Sequence, residues 1–248
     1  MTDQQASAPT HRRRNEVNHG KYLAEGGAEA IWGWGTPAGR LRAERRAALI
    51  AQGGRLGPGA NVLEIGCGTG LFTEYFARTG ARLIAVDLSS ELLEIARAKD
   101  LQDVEFREQP FETCDLDGPF DAVVASSVLH HLELPDAWTK IFALLKPGGY
   151  MSLAEPNMLN PQIYAERHFR SWFPQVSPDE TAFVRWQVRR VLERAGFRDV
   201  RITPFDWLHP ATPRPFIPVV RGIGRVFESM PLVREFSGSL WITARRPA

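Results

Sequence analysis

Residues 66 to 70, Gly-Cys-Gly-Thr-Gly, place three glycines at alternate positions, and the carboxylate of Glu64 stands two residues before them. Glycine lets backbone pass close to a ligand and adopts φ > 0 without a steric penalty. A nearby carboxylate repels a pyrophosphate, the group that a G-x-G-x-x-G turn seats on a helix N-terminus. It attracts an ammonium instead. Asp87 stands seventeen residues after Gly70, and an acid so placed accepts the hydroxyl protons of a ribose. The two acids together describe a ligand with a nucleoside at one end and an amino acid at the other. Further on come His130 and His131. With an ordinary pKa near ~6.5, an imidazole there could take the proton of an acceptor hydroxyl; the alternative is a pair that packs at a helix start.

The elements around these residues alternate. "NVLEI", "RLIAVD", "VEFRE", "DAVVAS" and "YMSLAE" read as strands; "LFTEYFARTG", "SELLEIARAK" and "DAWTKIFALL" read as helices, the second capped by Ser90. Such alternation predicts a doubly wound, mostly parallel α/β sheet, with ligands beyond the carboxyl ends of its strands. The glycine loop, Asp87 and the histidines all fall at those ends. After Glu155 the rhythm breaks. An aromatic insertion is followed by a long helix from about Pro178 to Ala195, and "DVRITPF" and "SLWITARR" read as terminal strands around a segment with six prolines, residues 204 to 231.

Composition bounds the rest. The 248 residues are 44% hydrophobic and 24% charged, as expected of one soluble domain, residues 20–248, behind a polar tail at 1–19. A net charge of +1 gives no footprint for nucleic acid. Two cysteines, Cys67 and Cys114, suit a reducing cytoplasm. No uncharged stretch nears the ~20 residues of a spanning helix, which leaves at most peripheral membrane contact. The histidines are scattered and no C-x-x-C or H-x-x-x-H is present, so no metal is expected.

"VLEIGCGTG", "AVD", "FDAVVASSVLHHL" and "LLKPGG", in this order, resemble the successive motifs of class I S-adenosylmethionine (SAM)-dependent methyltransferases, in the branch that includes the ubiquinone and menaquinone enzymes. The resemblance covers about Gly59 to Glu155 and implies a seven-stranded Rossmann-like sheet. It also implies that Glu64, Gly66, Cys67, Gly68 and Gly70 hold the methionine part of SAM, that Asp87 takes the ribose, and that Leu88 packs on the adenine. Where the family usually has an Asp for the adenine amino group, this sequence reads "EQPFE". Gln109, Pro110 and Phe111 are expected to line that pocket, with Glu112 or a carbonyl in place of the Asp. Ser126 and Ser127 would lie beside the sulfonium. Related enzymes fold an N-terminal segment over the cofactor, a lid role that would fall to residues 20–55 with Tyr22, Trp32 and Trp34.

The acceptor must be bound by what these motifs leave out, the insertions within 156–236. Their aromatic content, with His168, Trp172 and Trp207 among the candidates, suits a small apolar or aromatic metabolite. The expected reaction is O-methylation with His130 or His131 as base, yielding S-adenosylhomocysteine (SAH). C- or N-methylation, a SAM-binding protein without turnover, and an NAD-dependent oxidoreductase stay open as alternatives, as do monomer and homodimer.

Overall fold

Strand β1 (Asn61–Ile65) is buried along all but its first residue, because Val62 and Leu63 point to opposite faces and each face is covered. On one side Val62 packs with Ala43, Ala47, Ile50 and Phe76; on the other Leu63 and Ile65 pack with Trp138, Ile141 and Leu192. Continuous apolar runs of this kind are what a parallel sheet with helices on both faces requires. The computed structural model describes residues 11–116, 118–132, 134, 136–169, 172–173 and 181–248.

Seven strands form one sheet in the order β3-β2-β1-β4-β5-β7-β6. Strands β2 (Arg82–Asp87), β3 (Val104–Glu108), β4 (Phe120–Ser126) and β5 (Leu145–Pro156) pair in parallel with β1 and with one another. The last two, β6 (Arg198–Phe205) and β7 (Ser239–Arg245), are antiparallel, with β7 inserted between β5 and β6. The chain runs outward from β1 to β3 and then returns to β4 on β1's other side. That reversal opens a crevice at the carboxyl ends of β1 and β4.

The helices are α1 (His11–Gly26), α2 (Ala28–Ile31), α3 (Pro37–Gly54), α4 (Leu71–Ala77), α5 (Ser90–Arg97), α6 (Asp136–Leu144), α7 (Pro161–His168), α8 (Arg185–Arg194) and α9 (Ile217–Ser229). Several depart from the sequence reading. Helix α1 begins at His11, inside the expected tail, because it has a place to dock: Leu23 packs with Ala28 and Leu92, and Glu16 reaches His131. The cap of α5 is Ser89, whose hydroxyl accepts from Leu92 N–H, one residue earlier than expected. Helix α8 starts at Arg185; residues 178–180 of its expected span lie outside the described residues. The two insertions also meet, since Asn157 Nδ2 donates to the carbonyls of Glu235 and Ser237.

Candidate active site

A cavity of about 820 Å³ fills the crevice, within the ~300–1,000 Å³ usual for small-molecule sites. Its floor is the turn after β1. Gly66 has φ +67°, and a Cβ there would lie 2.1 Å from Val128 Cγ2, so only glycine fits between the two loops. The backbone of Cys67 and Gly68 continues the wall. Burial pushes the Cys67 thiol well up, helped by the Asp87 charge, which leaves the sulfur a packing group. Gly70 is not on the wall. It starts α4 at φ +74° and lets that turn close on Ala96.

Glu64 also stands back from the wall, one layer behind it. It is 2% exposed, and its Oε2 makes no hydrogen bond among the described residues. Burial pushes its carboxyl up to about 8, opposed by the Thr73 hydroxyl and assisted by the Asp87 charge. A carboxyl held in this way is neutral or nearly so until a cation comes close.

Asp87, at the end of β2, does face the cavity. Its Oδ2 accepts from Gly68 N–H at 2.7 Å and its Oδ1 from Ser89 N–H at 2.9 Å. Burial raises its pKa, and these amides pull it down. An ionised carboxylate has about four acceptor positions, so a diol can still be taken while both amides stay bound. Leu88, Gln109, Pro110, Phe111 and Glu112 line the same end. Gln109 Oε1 is buried without a hydrogen-bond partner among the described residues, a ready acceptor for an exocyclic amine. The donors and acceptors on this wall therefore fit the SAM skeleton.

At the end of β4, Ser126 and Ser127 line the cavity, and Ser127 holds a left-handed φ of +56°. Their hydroxyls are fixed by a residue that sequence reasoning missed. Arg46 of α3 is 2% exposed and donates to Ser126 Oγ (2.9 Å), Ser127 Oγ (2.8 Å), Ser239 Oγ (2.9 Å) and the Ala154 carbonyl (2.7 Å). Burial lowers its pKa to about 10, against an upward pull from the Asp206 charge. All four direct partners are neutral, which makes it a cavity-wall cation. Its neighbour Arg42 is paired with Asp206 at 2.8 Å.

His130 and His131 both line the cavity, their ring centroids 4.2 Å apart, but they are held differently. His130 is buried, and its Nδ1 lies 2.7 Å from Oε2 of the fully buried Glu155. The other oxygen of Glu155 accepts from the amides of Val128 and Leu129. Burial alone would raise the Glu155 carboxyl; His130 and the two amides outweigh it and hold the group below the usual carboxylate range. His131 Nδ1 faces Glu16 Oε2 of α1 at 3.0 Å. Glu155 is thus a second site residue absent from the expected set.

Over the top, Trp32 and Trp34 line the cavity, Trp32 approaching Gly68 and Trp34 packing edge-on against Phe72 at 5.5 Å. Thr36 Oγ1 donates to the Pro210 carbonyl at 2.8 Å, joining this N-terminal cover to the connection after β6. Tyr22 lies outside: it is 52% exposed and stacks on His19. The three acceptor candidates also fall elsewhere. His168 is exposed and stacks on Tyr164; Trp172 is 75% exposed against Phe169; Trp207 packs beneath α9 on Phe227 and Gly224. The insertions reach the cavity instead through Gln162, Ile163, Glu166 and Arg167 of α7 and through His209, Pro210 and Ala211. Helix phase explains the first replacement: α7 turns residues 162, 163, 166 and 167 inward and leaves 164 and 168 outside. Among the described residues no group of three or more His, Cys, Asp or Glu side chains is placed to hold a metal ion. No described helix is long and apolar enough to cross a membrane.

Residues 38–202 match the family model described as a methyltransferase domain. The ubiquinone biosynthesis O-methyltransferase of Xanthomonas campestris pv. campestris (strain B100) is 42% identical over 106 residues, which cover 40% of this chain and 44% of that relative. The chain thus spans less than half the length of this curated relative. Among solved structures, the N-methyltransferase NodS from Bradyrhizobium japonicum WM9, in complex with SAH, has a TM-score of 0.64 at 19% identity and covers 94% of this chain and 100% of its own. Phosphoethanolamine N-methyltransferase 2 of Haemonchus contortus, in complex with SAM, has a TM-score of 0.69 at 16% identity, covering 98% and 61%. At such identities the likeness is one of fold. The family model, spanning well over half of the chain, carries the conclusion: this protein belongs to the class I SAM-dependent methyltransferase family.

Proposed function

We propose that this chain transfers a methyl group from SAM to the hydroxyl of a small apolar or aromatic acceptor. The observation that carries the reading is the buried His130–Glu155 pair on the cavity wall, 2.7 Å apart. With the Nδ1 proton committed to Glu155, the proton-accepting nitrogen of His130 is Nε2. Glu155 steadies the imidazolium that forms. This is the arrangement that a hydroxyl acceptor needs and an amine does not.

SAM supplies an already activated methyl group, so the protein's task is alignment and exclusion of water. Leu88, Gln109, Pro110 and Phe111 would enclose the adenine and Asp87 would hold the ribose. The amino-acid end carries both charges: its ammonium suits the glycine-loop carbonyls, with the Glu64 carboxyl one layer behind them, and its carboxylate suits Arg46. Helices α1 and α2 with Trp32 and Trp34 form the cover. As the acceptor oxygen bonds to the methyl carbon and the carbon–sulfur bond breaks, His130 takes the hydroxyl proton. The acceptor would rest against α7 and His209–Ala211. The relative named as an O-methyltransferase of ubiquinone biosynthesis supports a hydroxyl as the group that accepts the methyl.

Incubation with radiolabelled SAM and a panel of phenols, alcohols and amines tests this. Label should pass to hydroxyls and depend on His130. Transfer only to amines, equal in His130→Ala, would replace the reading with N-methylation.

A further inference from the structure

The loop after β3, Gln109 to Cys114, lacks the Asp that the family usually sets against an adenine amine, so an acceptor for that amine must come from elsewhere in it. Most of the loop's carbonyls are already engaged. That of Pro110 accepts from the N–H groups of Thr113 and Cys114 at 3.2 and 2.9 Å, and that of Phe111 from Cys114 Sγ at 3.1 Å. Lys140 of α6 donates to the carbonyls of Glu112 and Cys114, at 3.3 and 2.6 Å, with its ammonium 5.3 Å from the centre of the Phe111 ring. These contacts fix the loop from within. A carbonyl that has a partner costs nothing when a ligand leaves it alone, whereas a buried acceptor with none is costly until one arrives.

Gln109 is in the second position. It lines the cavity, and its Oε1 is buried without a hydrogen-bond partner among the described residues. Its own N–H donates to the Asp87 carbonyl at 2.9 Å, so one backbone hydrogen bond ties it to the acid that suits the ribose. We propose that Gln109 selects the base, its Oε1 accepting from the 6-amino group of the adenine of SAM. The proposal rests on the SAM reading of this cavity and is independent of the acceptor and of His130. Selectivity follows from the same imbalance: a purine without the amine leaves Oε1 stranded, and a site built to pair a polar group rejects the analogue that lacks it.

Calorimetry with SAH and with its 6-deamino analogue, in which a hydrogen replaces the amine, tests the proposal. The parent should bind SAH about tenfold tighter or more. In Gln109→Met, which keeps the shape without the acceptor, and in Gln109→Leu, the two ligands should bind within about twofold of each other. Affinity for the deamino analogue, kept in these variants, shows that the pocket is intact. Glu112→Ala should retain the parent's preference. A preference undiminished in Gln109→Met and Gln109→Leu, or lost in Glu112→Ala, overturns the assignment to Gln109. A parent that binds both ligands equally overturns base selection at this position. Failure of the parent to bind SAH at all removes the SAM reading itself, and with it the proposal, a result distinct from a change in preference between two bound ligands.

Discussion

His130 Nδ1 and Glu155 Oε2 stand 2.7 Å apart although 25 positions separate them, and both side chains are buried. The contact joins the turn after β4 to the end of β5. Glu155→Gln keeps the shape but exchanges an anion for an amide, so the ring loses its fixed tautomer and its counter-charge. Turnover should fall by about 10²–10⁴ in this variant and in His130→Gln, with SAH affinity held within a few-fold. Steady-state kinetics beside calorimetry checks it. Turnover within a factor of two of the parent in both variants would remove the base.

Asp87→Asn should weaken SAH binding by about 10- to 100-fold, the cost of losing a charged acceptor toward ribose and of disturbing the Gly68 contact. Calorimetry reads it directly, and NAD should show no binding to either chain.

Glu64 makes the ligand-free protein sensitive to pH. Its carboxyl is raised from an ordinary 4.5 to about 8, so across that interval the folded chain holds a proton that the unfolded chain has released. The stability this gives is complete below about pH 4.5 and is lost as pH rises toward 8. The Tm of the ligand-free protein should carry a falling component from pH 5 to 8 that Glu64→Gln lacks. SAM at pH 7 should bring its ammonium to the wall in front of this group and release a proton, measurable by calorimetry in buffers of different ionisation enthalpy.

Arg46→Ala strands three serine hydroxyls and the Ala154 carbonyl. A loss of about 2–4 kcal/mol in chemical denaturation is expected, together with weaker SAH binding. Arg46→Lys should recover part of the stability and little of the affinity, because an ammonium cannot span four acceptors on three strands and a loop.

The glycine loop, Asp87 and the strand order's consequences were legible because each is a local pattern at a strand end. Arg46 was legible in principle. It shares a stripe with Ala43, Ala47 and Ile50 at spacings of three and four, yet the surrounding "RAERRAA" reads as a solvated basic face. Glu155 resembles Asp87 in closing an apolar strand, but its partner is 25 positions away and nothing local announces it. The acceptor candidates lie off the cavity for another reason. Aromatic content pointed to insertions that do reach the cavity, while the residues α7 turns toward it, Gln162, Ile163, Glu166 and Arg167, are mostly polar and set by helix phase alone.

Strand β7 lies between β5 and β6 and delivers Ser239 to Arg46. During synthesis on a ribosome, every cofactor motif from Glu64 to Glu155 emerges before that strand does. The pocket can therefore be threaded early but not locked, and nascent chains arrested before β7 should remain unable to retain the nucleoside.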